Sequence, residues 1–217
     1  MSFRRYRQVK EGEFYVVFAD TSAGAGDYCA VQFLCKGAID VPIVYHSKQT
    51  ATEMTPLLHQ ELERIYDITK VPLVVAYERN AGGIFELERL ATLNRLGKYQ
   101  IYQMKAHEGT TKTTLESIKI GWDTNSATRP IMLQMLKEAI DNQLLTLYDK
   151  PTINEMFSFI IKQTETAWKA QAESGAHDDL VMSLAGAWQL YQTEQPMIIE
   201  EQSYTSGNLT KLWVWVT

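Results

Sequence analysis

The sequence predicts an α/β fold in which a mixed central β-sheet is flanked by helices on both faces. Two observations lead to this prediction: apolar runs of strand length recur through the first half of the chain, and segments of helical period alternate with them. Apolar residues make up 45% and charged residues 22% of the chain, as in ordinary globular proteins. A length of 217 residues suits one domain with a substantial core.

The first three elements are predicted strands. Residues 14–20 form the apolar run FYVVFAD, and residues 28–37 and 41–47 are rich in β-branched and aromatic residues. The turn-rich stretch TSAGAGD between the first two runs favours a hairpin. We therefore expect three consecutive, antiparallel strands.

Helices and strands then alternate. Residues 52–67 carry apolar residues at helical spacing, with Thr52 or Thr55 as the expected N-cap. Residues 71–80 predict a fourth strand, and residues 82–97 predict a second helix that ends at its final glycine.

The later elements are less regular. Residues 99–104 predict a short fifth strand, and residues 128–143 predict a helix with Thr128 as its cap. Residues 156–172 alternate in polarity and predict a strand, paired in a hairpin that closes at QTET. A last helix begins at HDDLVMSLAGAWQLY, and the strand-like LWVWVT at 212–217 has no assigned place.

This order of elements is the one expected of a ribonuclease H-like domain. It is also the order of one lobe of the actin and sugar-kinase class, which needs a second lobe that this length does not provide. We expect the domain to occupy residues 14–195, with residues 1–13 before it and a tail of unknown role at 196–217.

Charge and hydropathy limit the partners. A net charge of −5 argues against a surface that binds nucleic acid everywhere, so any contact with DNA must be local. The N-terminus lacks the apolar region of a signal peptide, and no apolar run approaches the roughly 18 residues of a membrane span. We expect a soluble, intracellular protein with no membrane partner.

Acidic residues stand at the ends of three predicted elements. Asp20 ends the first strand, Glu78 ends the fourth, and Asp178 and Asp179 open the last helix. Strand ends and helix N-termini can meet at one rim of an α/β sheet. Carboxylates that meet in an apolar setting repel one another unless a cation intervenes, and Mg²⁺ prefers such oxygen ligands. The pattern predicts a metal site suited to phosphodiester hydrolysis with two ions.

Each acid also has a simpler explanation. An aspartate after a strand is commonly a turn residue, and one that begins a helix is commonly a cap. Helical periodicity does not separate Asp178 from Asp179, because both lie well away from the core side. We prefer Asp179 as the ligand and Asp178 as its helper, with His177 as an auxiliary candidate that orients the loop, binds metal or transfers a proton.

Four segments surround these acids: FADTSAGAGDYCAV, VVAYERNAGG, GWDTNSATRPIML and SGAHDDLVMSLAGA. Together they resemble, in order and spacing, the nuclease domain of the large terminase subunit of tailed bacteriophages. The resemblance implies an endonuclease that cuts concatemeric double-stranded viral DNA during genome packaging. It also implies two Mg²⁺ or Mn²⁺ ions, held by Asp20, Glu78 and Asp179 with the help of Asp178.

The resemblance further implies partners and a location. These are a packaging ATPase domain in the full protein, a small terminase subunit and a portal, in the cytoplasm of an infected bacterium. The chain has no G-x-x-x-x-G-K-[ST] phosphate loop, so we expect an isolated nuclease domain in which residues 1–13 derive from an interdomain region.

Candidate DNA contacts come from the basic residues and from the TNSATRP segment, whose Thr124 could alternatively support the rim. The candidates are Arg79, Lys112, Lys119, Asn125 and Arg129. Two other functions remain open: a different ribonuclease H-like nuclease, such as a Holliday-junction resolvase or a transposase, and a non-enzymatic module that docks on DNA or on a portal. The other nucleases lack the TNSATRP segment in this position and so explain fewer residues, whereas the sequence pattern does not distinguish a docking module from a nuclease.

Overall fold

The structure is a computed structural model that describes residues 3–21, 28–80, 82–104, 119–157, 159–163, 168–172 and 177–196. Residues 159–163 and 168–172 are described as backbone only. The TSAGAGD turn beyond its first residue, Lys112 and the strand-like 212–217 segment lie outside these ranges, and so do the predictions made for them.

The predicted antiparallel strands are present. β2 (Tyr15–Asp20) pairs with β3 (Cys29–Cys35), and β3 pairs with β4 (Asp40–Ser47), both antiparallel. β1 (Arg4–Arg5) adds to the outer edge of β4. Phe3 is buried beside it, so part of the segment before residue 14 folds with the domain.

The rest of the sheet is parallel, which makes the sheet mixed as expected. β5 (Leu73–Tyr77) runs parallel to β2, and β6 (Tyr99–Ile101) runs parallel to β5. β9 (Thr146–Leu147) runs parallel to β4. Within the described residues the order is β1-β4-β3-β2-β5-β6, with β9 also on β4.

Two small antiparallel pairs lie outside this sheet. β7 (Gln103–Met104) pairs with β8 (Lys119–Ile120), so the predicted fifth strand is divided between β6 and β7. β10 (Phe159–Gln163) pairs with β11 (Trp168–Ala172), which confirms the predicted hairpin.

Helices cover both faces of the sheet. α1 (Ala51–Thr69) and α2 (Gly83–Leu93) pack on one apolar cluster, whereas α3 (Thr128–Asp141) and α5 (Asp179–Thr193) pack on the cluster of the opposite face. Residues alternate between the two clusters along β2, because successive side chains of a strand point to opposite faces. The predicted layered architecture is confirmed.

The start of α1 differs from the prediction. The N-cap is Thr50, not Thr52 or Thr55, and it forms a capping box with Glu53. The Thr55 hydroxyl bonds instead to the Ala51 carbonyl inside the helix.

Three further predictions about helices were wrong. α2 ends at Leu93 and not at Gly97. Thr128 is the first residue of α3 and not its cap; the Asn125 side chain accepts hydrogen bonds from the amides of Ala127 and Thr128, at 2.9 and 3.1 Å. Met156 and Phe157, which the alternating pattern had assigned to a strand, are the last residues of a helix, α4 (Lys150–Phe157).

Candidate functional site

Asp20 and Glu78 are neighbours across two parallel strands. Asp20 is the last residue of β2, Glu78 follows β5 directly, and the Glu78 amide donates a hydrogen bond to the carbonyl of Ala19 at 2.8 Å. Alternation along each strand places Asp20 on the face of Phe18 and Glu78 on the face of Ala76. Phe18 and Ala76 belong to the cluster under α3 and α5, so both carboxyls emerge on that face.

The N-terminus of α5 brings Asp179 to the same place. α5 lies so close to β2 that a Cβ added to Gly186 would meet the ring carbons of Phe18 at 2.4 Å. Asp179, the first residue of the helix, is only 6% exposed, and Asp20 is 9% exposed. Because the charges of both Glu78 and Asp179 act on Asp20, three acids from distant parts of the chain lie near one another at one edge of the sheet.

The acidic groups of the cluster affect one another electrostatically. Burial raises the pKa of Asp20 well above its ordinary value, because the charged form is poorly solvated. Hydrogen bonding with the Glu78 carboxyl and the negative charges of Glu78, Asp179 and Asp178 raise the pKa of Asp20 further. Such a cluster is stable only with a bound proton or with a cation.

Asn80 orients Glu78, a role that the sequence did not reveal. Its side-chain amide donates hydrogen bonds to Glu78 Oε1 at 3.0 Å and to the Thr124 carbonyl at 3.2 Å. The Asn80 carbonyl accepts a hydrogen bond from the Thr21 hydroxyl at 3.2 Å. Only glycine fits at position 83, because a Cβ there would lie 1.9 Å from the Glu78 carbonyl oxygen. The only available signal was the position of Asn80 within the VVAYERNAGG segment.

Asp178 and Asp179 differ in their surroundings. The Arg129 guanidinium, on the first turn of α3, donates a hydrogen bond to Asp178 Oδ2, and the Asp178 side chain is 31% exposed. Asp179 is buried and contributes to the raised pKa of Asp20. Arg129 therefore neutralises one member of the pair, while the other faces the acid cluster.

The Asp178 side chain does not cap α5. Asp178 stands at the N-cap position but makes no side-chain capping hydrogen bond. The Val181 amide instead donates a hydrogen bond to Glu155 Oε1 at 2.8 Å, and Glu155 lies on α4, the helix that precedes α5. Sequence reasoning missed Glu155, because α4 was not recognised as a helix.

His177 lies beside the cluster. Its Nδ1 is 3.7 Å from Asp179 Oδ2, and its ring meets the Tyr28 ring edge-on at 4.9 Å. Tyr28 stacks on His46 at 4.3 Å. His177 thus contacts the acid site at its rim, where it could hold the position of Asp179.

The candidate DNA contacts are mostly engaged within the protein. The Arg79 guanidinium lies 2.7 Å from Asp123, and the Lys119 ammonium lies 3.1 Å from the same carboxylate. Asn125 caps α3, and Arg129 pairs with Asp178. Except for Lys112, which is not described, each candidate already makes a contact within the protein.

The carboxylates of this site are a ligand type that suits a hard divalent cation. In the described part of the chain, no three His, Cys, Asp or Glu side chains are grouped so that they could hold a metal ion as they stand. The carboxylate oxygens of Asp20, Glu78 and Asp179 are nevertheless the ligand type that Mg²⁺ and Mn²⁺ prefer. A cation would also remove the repulsion that raises the pKa of Asp20.

The hydropathy of the helices bears on membrane contact. No helix among the described residues is long and apolar enough to cross a bilayer.

Comparisons of sequence identify no relative. No protein-family model matches the sequence, and no curated protein is detectably similar to it.

Comparisons of structure are informative. The large terminase nuclease domain of Thermus phage P74-26 gives a TM-score of 0.60 at 16% identity, over 88% of this chain and 85% of that chain. The large terminase nuclease of thermophilic phage G20c with bound magnesium gives 0.57 at 16% identity, over 88% and 85%. The human cytomegalovirus terminase nuclease domain, soaked with manganese, gives 0.53 at 11% identity, over 82% and 83%.

Identities this low establish architecture and not activity. The mixed sheet, the helices on both faces and these superpositions agree with one another. The chain has the ribonuclease H-like fold of the nuclease domains of large terminases.

Proposed function

We propose that this protein is a divalent-metal-dependent endonuclease that cuts double-stranded, concatemeric viral DNA during genome packaging. The observation that carries the proposal is the meeting of Asp20, Glu78 and Asp179 at one sheet edge, with the pKa of Asp20 raised by its acidic neighbours. An acid cluster at the carboxyl ends of parallel strands is well placed for a ligand site.

Each acid has a distinct role in the proposal. Asp20, Glu78 and Asp179 hold the metal, most simply as two ions of Mg²⁺ or Mn²⁺, and Asp178 assists them. When bound, the ions supply Lewis-acid stabilisation of the attacking and leaving oxygens of a phosphodiester. Asn80 keeps the Glu78 carboxylate in position, and Arg129 holds Asp178 away from the repulsive centre. His177 acts as an auxiliary group beside Asp179.

DNA binding is expected to be local. In the proposal, Arg79, Lys119, Asn125 and Arg129 contact the DNA, and Lys112 belongs to the same candidate set. The net charge of −5 opposes broad contact with phosphates. In packaging, DNA would be held mainly by an ATPase domain, a small terminase subunit and a portal.

The cellular setting belongs to the proposal as well. The setting is the cytoplasm of an infected bacterium. The nuclease domain would occupy residues 14–195 together with the N-terminal strand β1.

A plasmid assay tests the proposal. The native chain is expected to nick and linearise supercoiled plasmid with Mn²⁺ or Mg²⁺ and to be inactive with EDTA. Asp20→Asn should abolish cleavage while keeping the circular-dichroism spectrum. Asp141→Asn is the matched control, because Asp141 is an exposed aspartate at the end of α3.

A second readout does not depend on turnover. Mn²⁺ should raise the thermal midpoint of the native chain, because a ligand that binds only the folded state stabilises it, and this shift should vanish in Asp20→Asn. Failure of the native chain to cleave duplex DNA with any divalent metal would contradict the proposal. Preferential cleavage of four-way junctions would favour a resolvase instead. DNA binding without cleavage would indicate a docking module.

A further inference from the structure

The helix that carries the aspartate pair is capped from another helix. α5 begins at Asp179, and the N-cap residue Asp178 makes no side-chain capping bond. Glu155 Oε1, on α4, accepts the Val181 amide hydrogen at 2.8 Å. The backbone amide of Leu180 also hydrogen-bonds to this carboxyl.

We infer that Glu155 is a positioning residue that caps α5 in place of Asp178 and so fixes Asp179 beside Asp20. The inference rests on the proposed nuclease function for its catalytic consequence, but the cap itself is a structural relationship.

The physical need for such a cap is general. The first amides of a helix have no partner within the helix and must find acceptors elsewhere. An aspartate at the helix start readily supplies one with its own carboxylate. A carboxylate used in this way would turn back over its own helix. Because Glu155 supplies the acceptor, Asp178 is left to pair with Arg129 and Asp179 to face the acid cluster.

Glu155 is itself held in place by a second cap. Asp149 Oδ2 accepts hydrogen bonds from the Thr152 amide at 2.9 Å and from the Thr152 hydroxyl at 2.7 Å, at the start of α4. Arg4, on strand β1, donates a hydrogen bond from Nε to Asp149 Oδ1 at 2.6 Å. Gln32 on β3 donates to the Thr152 hydroxyl oxygen at 3.1 Å. α4 is therefore tied to the sheet, which makes Glu155 a rigid acceptor.

The local electrostatics agree with a capping role. The pKa of Glu155 is raised to about 7, chiefly by burial and also by the charges of Asp178 and Asp149, while hydrogen bonds from the Val181 and Leu180 amides oppose the rise. A carboxyl in this setting is stabilised chiefly by the hydrogen bonds that it accepts from these two amides. Either protonation state retains an acceptor oxygen, so the geometry and not the charge is the expected requirement.

Three variants separate geometry from charge. Glu155→Gln keeps an acceptor oxygen at the same reach, Glu155→Asp keeps the charge but is one methylene shorter, and Glu155→Ala has neither. We expect Glu155→Gln to cleave plasmid within about threefold of the native rate. Glu155→Asp and Glu155→Ala should lose about tenfold or more in kcat, with little change in KM for DNA, because only the placement of the reacting groups is disturbed.

Two readouts are independent of cleavage. The Mn²⁺-induced rise in thermal midpoint should persist in Glu155→Gln and be reduced in Glu155→Asp and Glu155→Ala. Amide hydrogen exchange at Val181 should accelerate in the last two variants only. Asn154→Ala, an exposed neighbour on the same helix, is the control and should behave as the native chain does.

The outcomes are distinguishable. Unchanged Val181 exchange in Glu155→Ala overturns the inference, and so does a Glu155→Gln variant as defective as Glu155→Ala. If Glu155→Ala does not fold, the comparison of Glu155→Gln with Glu155→Asp decides the question alone. If the native chain neither cleaves DNA nor responds to Mn²⁺, the proposed function fails, whereas the exchange experiment still tests the cap.

Discussion

Arg129 and Asp178 form an ion pair that joins the first turn of α3 to the start of α5. The residue next to Asp178, Asp179, is buried and lies in the acid cluster with Asp20. One aspartate is therefore paired with an arginine, and the other lies among carboxylates, where we propose that the metal binds. This difference assigns separate roles to two residues that are identical and adjacent in sequence.

The first prediction separates the two aspartates. Asp179→Asn should abolish Mn²⁺-dependent cleavage, because it removes a ligand from the cluster, whereas Asp178→Asn should retain a measurable fraction of the rate. Initial rates of plasmid nicking measure both. Equal loss in the two variants, with both folded, would contradict the assignment.

The second prediction concerns Arg129. Arg129→Gln should lower the cleavage rate by about tenfold, the effect of losing roughly 1.4 kcal/mol of transition-state stabilisation. Its affinity for duplex DNA, measured with Ca²⁺ in place of the active metal, should change by less than about threefold. The reverse pattern, with weak binding and a normal maximal rate, would show that Arg129 mainly contacts phosphate. Lys137→Gln, at an exposed position on the same helix, is the control.

The third prediction concerns Asn80. Asn80→Ala removes the hydrogen-bond donor that holds Glu78 Oε1. Because this hydrogen bond is exposed to solvent, its net stabilising free energy is only about 1 kcal/mol. The cleavage rate should therefore fall by about threefold to tenfold, and more Mn²⁺ should be needed for half-maximal activity. A metal titration of the initial rate measures both effects. An unchanged titration would show that Glu78 does not depend on Asn80.

The fourth prediction concerns packing beneath the site. A Cβ at Gly186 would lie 2.4 Å from the ring of the fully buried Phe18, so Gly186→Ala should lower the free energy of unfolding by about 1–3 kcal/mol or more. Urea denaturation measures the change. Gly37→Ala is the control, because no heavy atom lies within 4 Å of its added Cβ, and it should change stability by about 0.5 kcal/mol at most.

The fifth prediction is a dependence of stability on pH. Burial raises the pKa of Asp149, but hydrogen bonds from Arg4, Tyr6 and Thr152 outweigh burial, so the net pKa is lowered. A lowered folded-state pKa contributes stability above the unfolded value of about 4 and loses it as the pH falls through the folded value.

Asp149→Asn tests this dependence. At pH 7 the variant should be less stable than the native chain by about 2 kcal/mol, since it loses hydrogen bonds between charged groups. The difference should begin to shrink below about pH 4 and continue to shrink as the pH falls through the lowered folded-state pKa, where the native carboxyl also becomes neutral. Urea denaturation at several pH values measures it. A constant difference from pH 7 to pH 3 would contradict the linkage, and Asp141→Asn should show no comparable loss at pH 7.

Much of the fold was predictable because its signals are local. The strands β2, β3, β4 and β5, and the helices α1, α2, α3 and α5, follow from periods of two and of 3.6 residues. α4 was missed because its eight residues are too few to display a helical period, and the alternation through Phe157 imitated a strand. The caps at Thr50 and Asn125 were missed because neighbouring threonines are equally good candidates by type.

The sequence by itself determined the type and order of the main elements and placed Asp20, Glu78 and the Asp178–Asp179 pair at their ends. Only the tertiary structure decided that these acids share a face. That decision depends on the parallel pairing of β2 with β5 and on the packing of Gly186 against Phe18. The tertiary structure also decided that Arg129 pairs with Asp178 and that Glu155 caps α5. Periodicity reports on a few neighbouring residues, whereas these contacts join segments that only the packing of the whole core brings together.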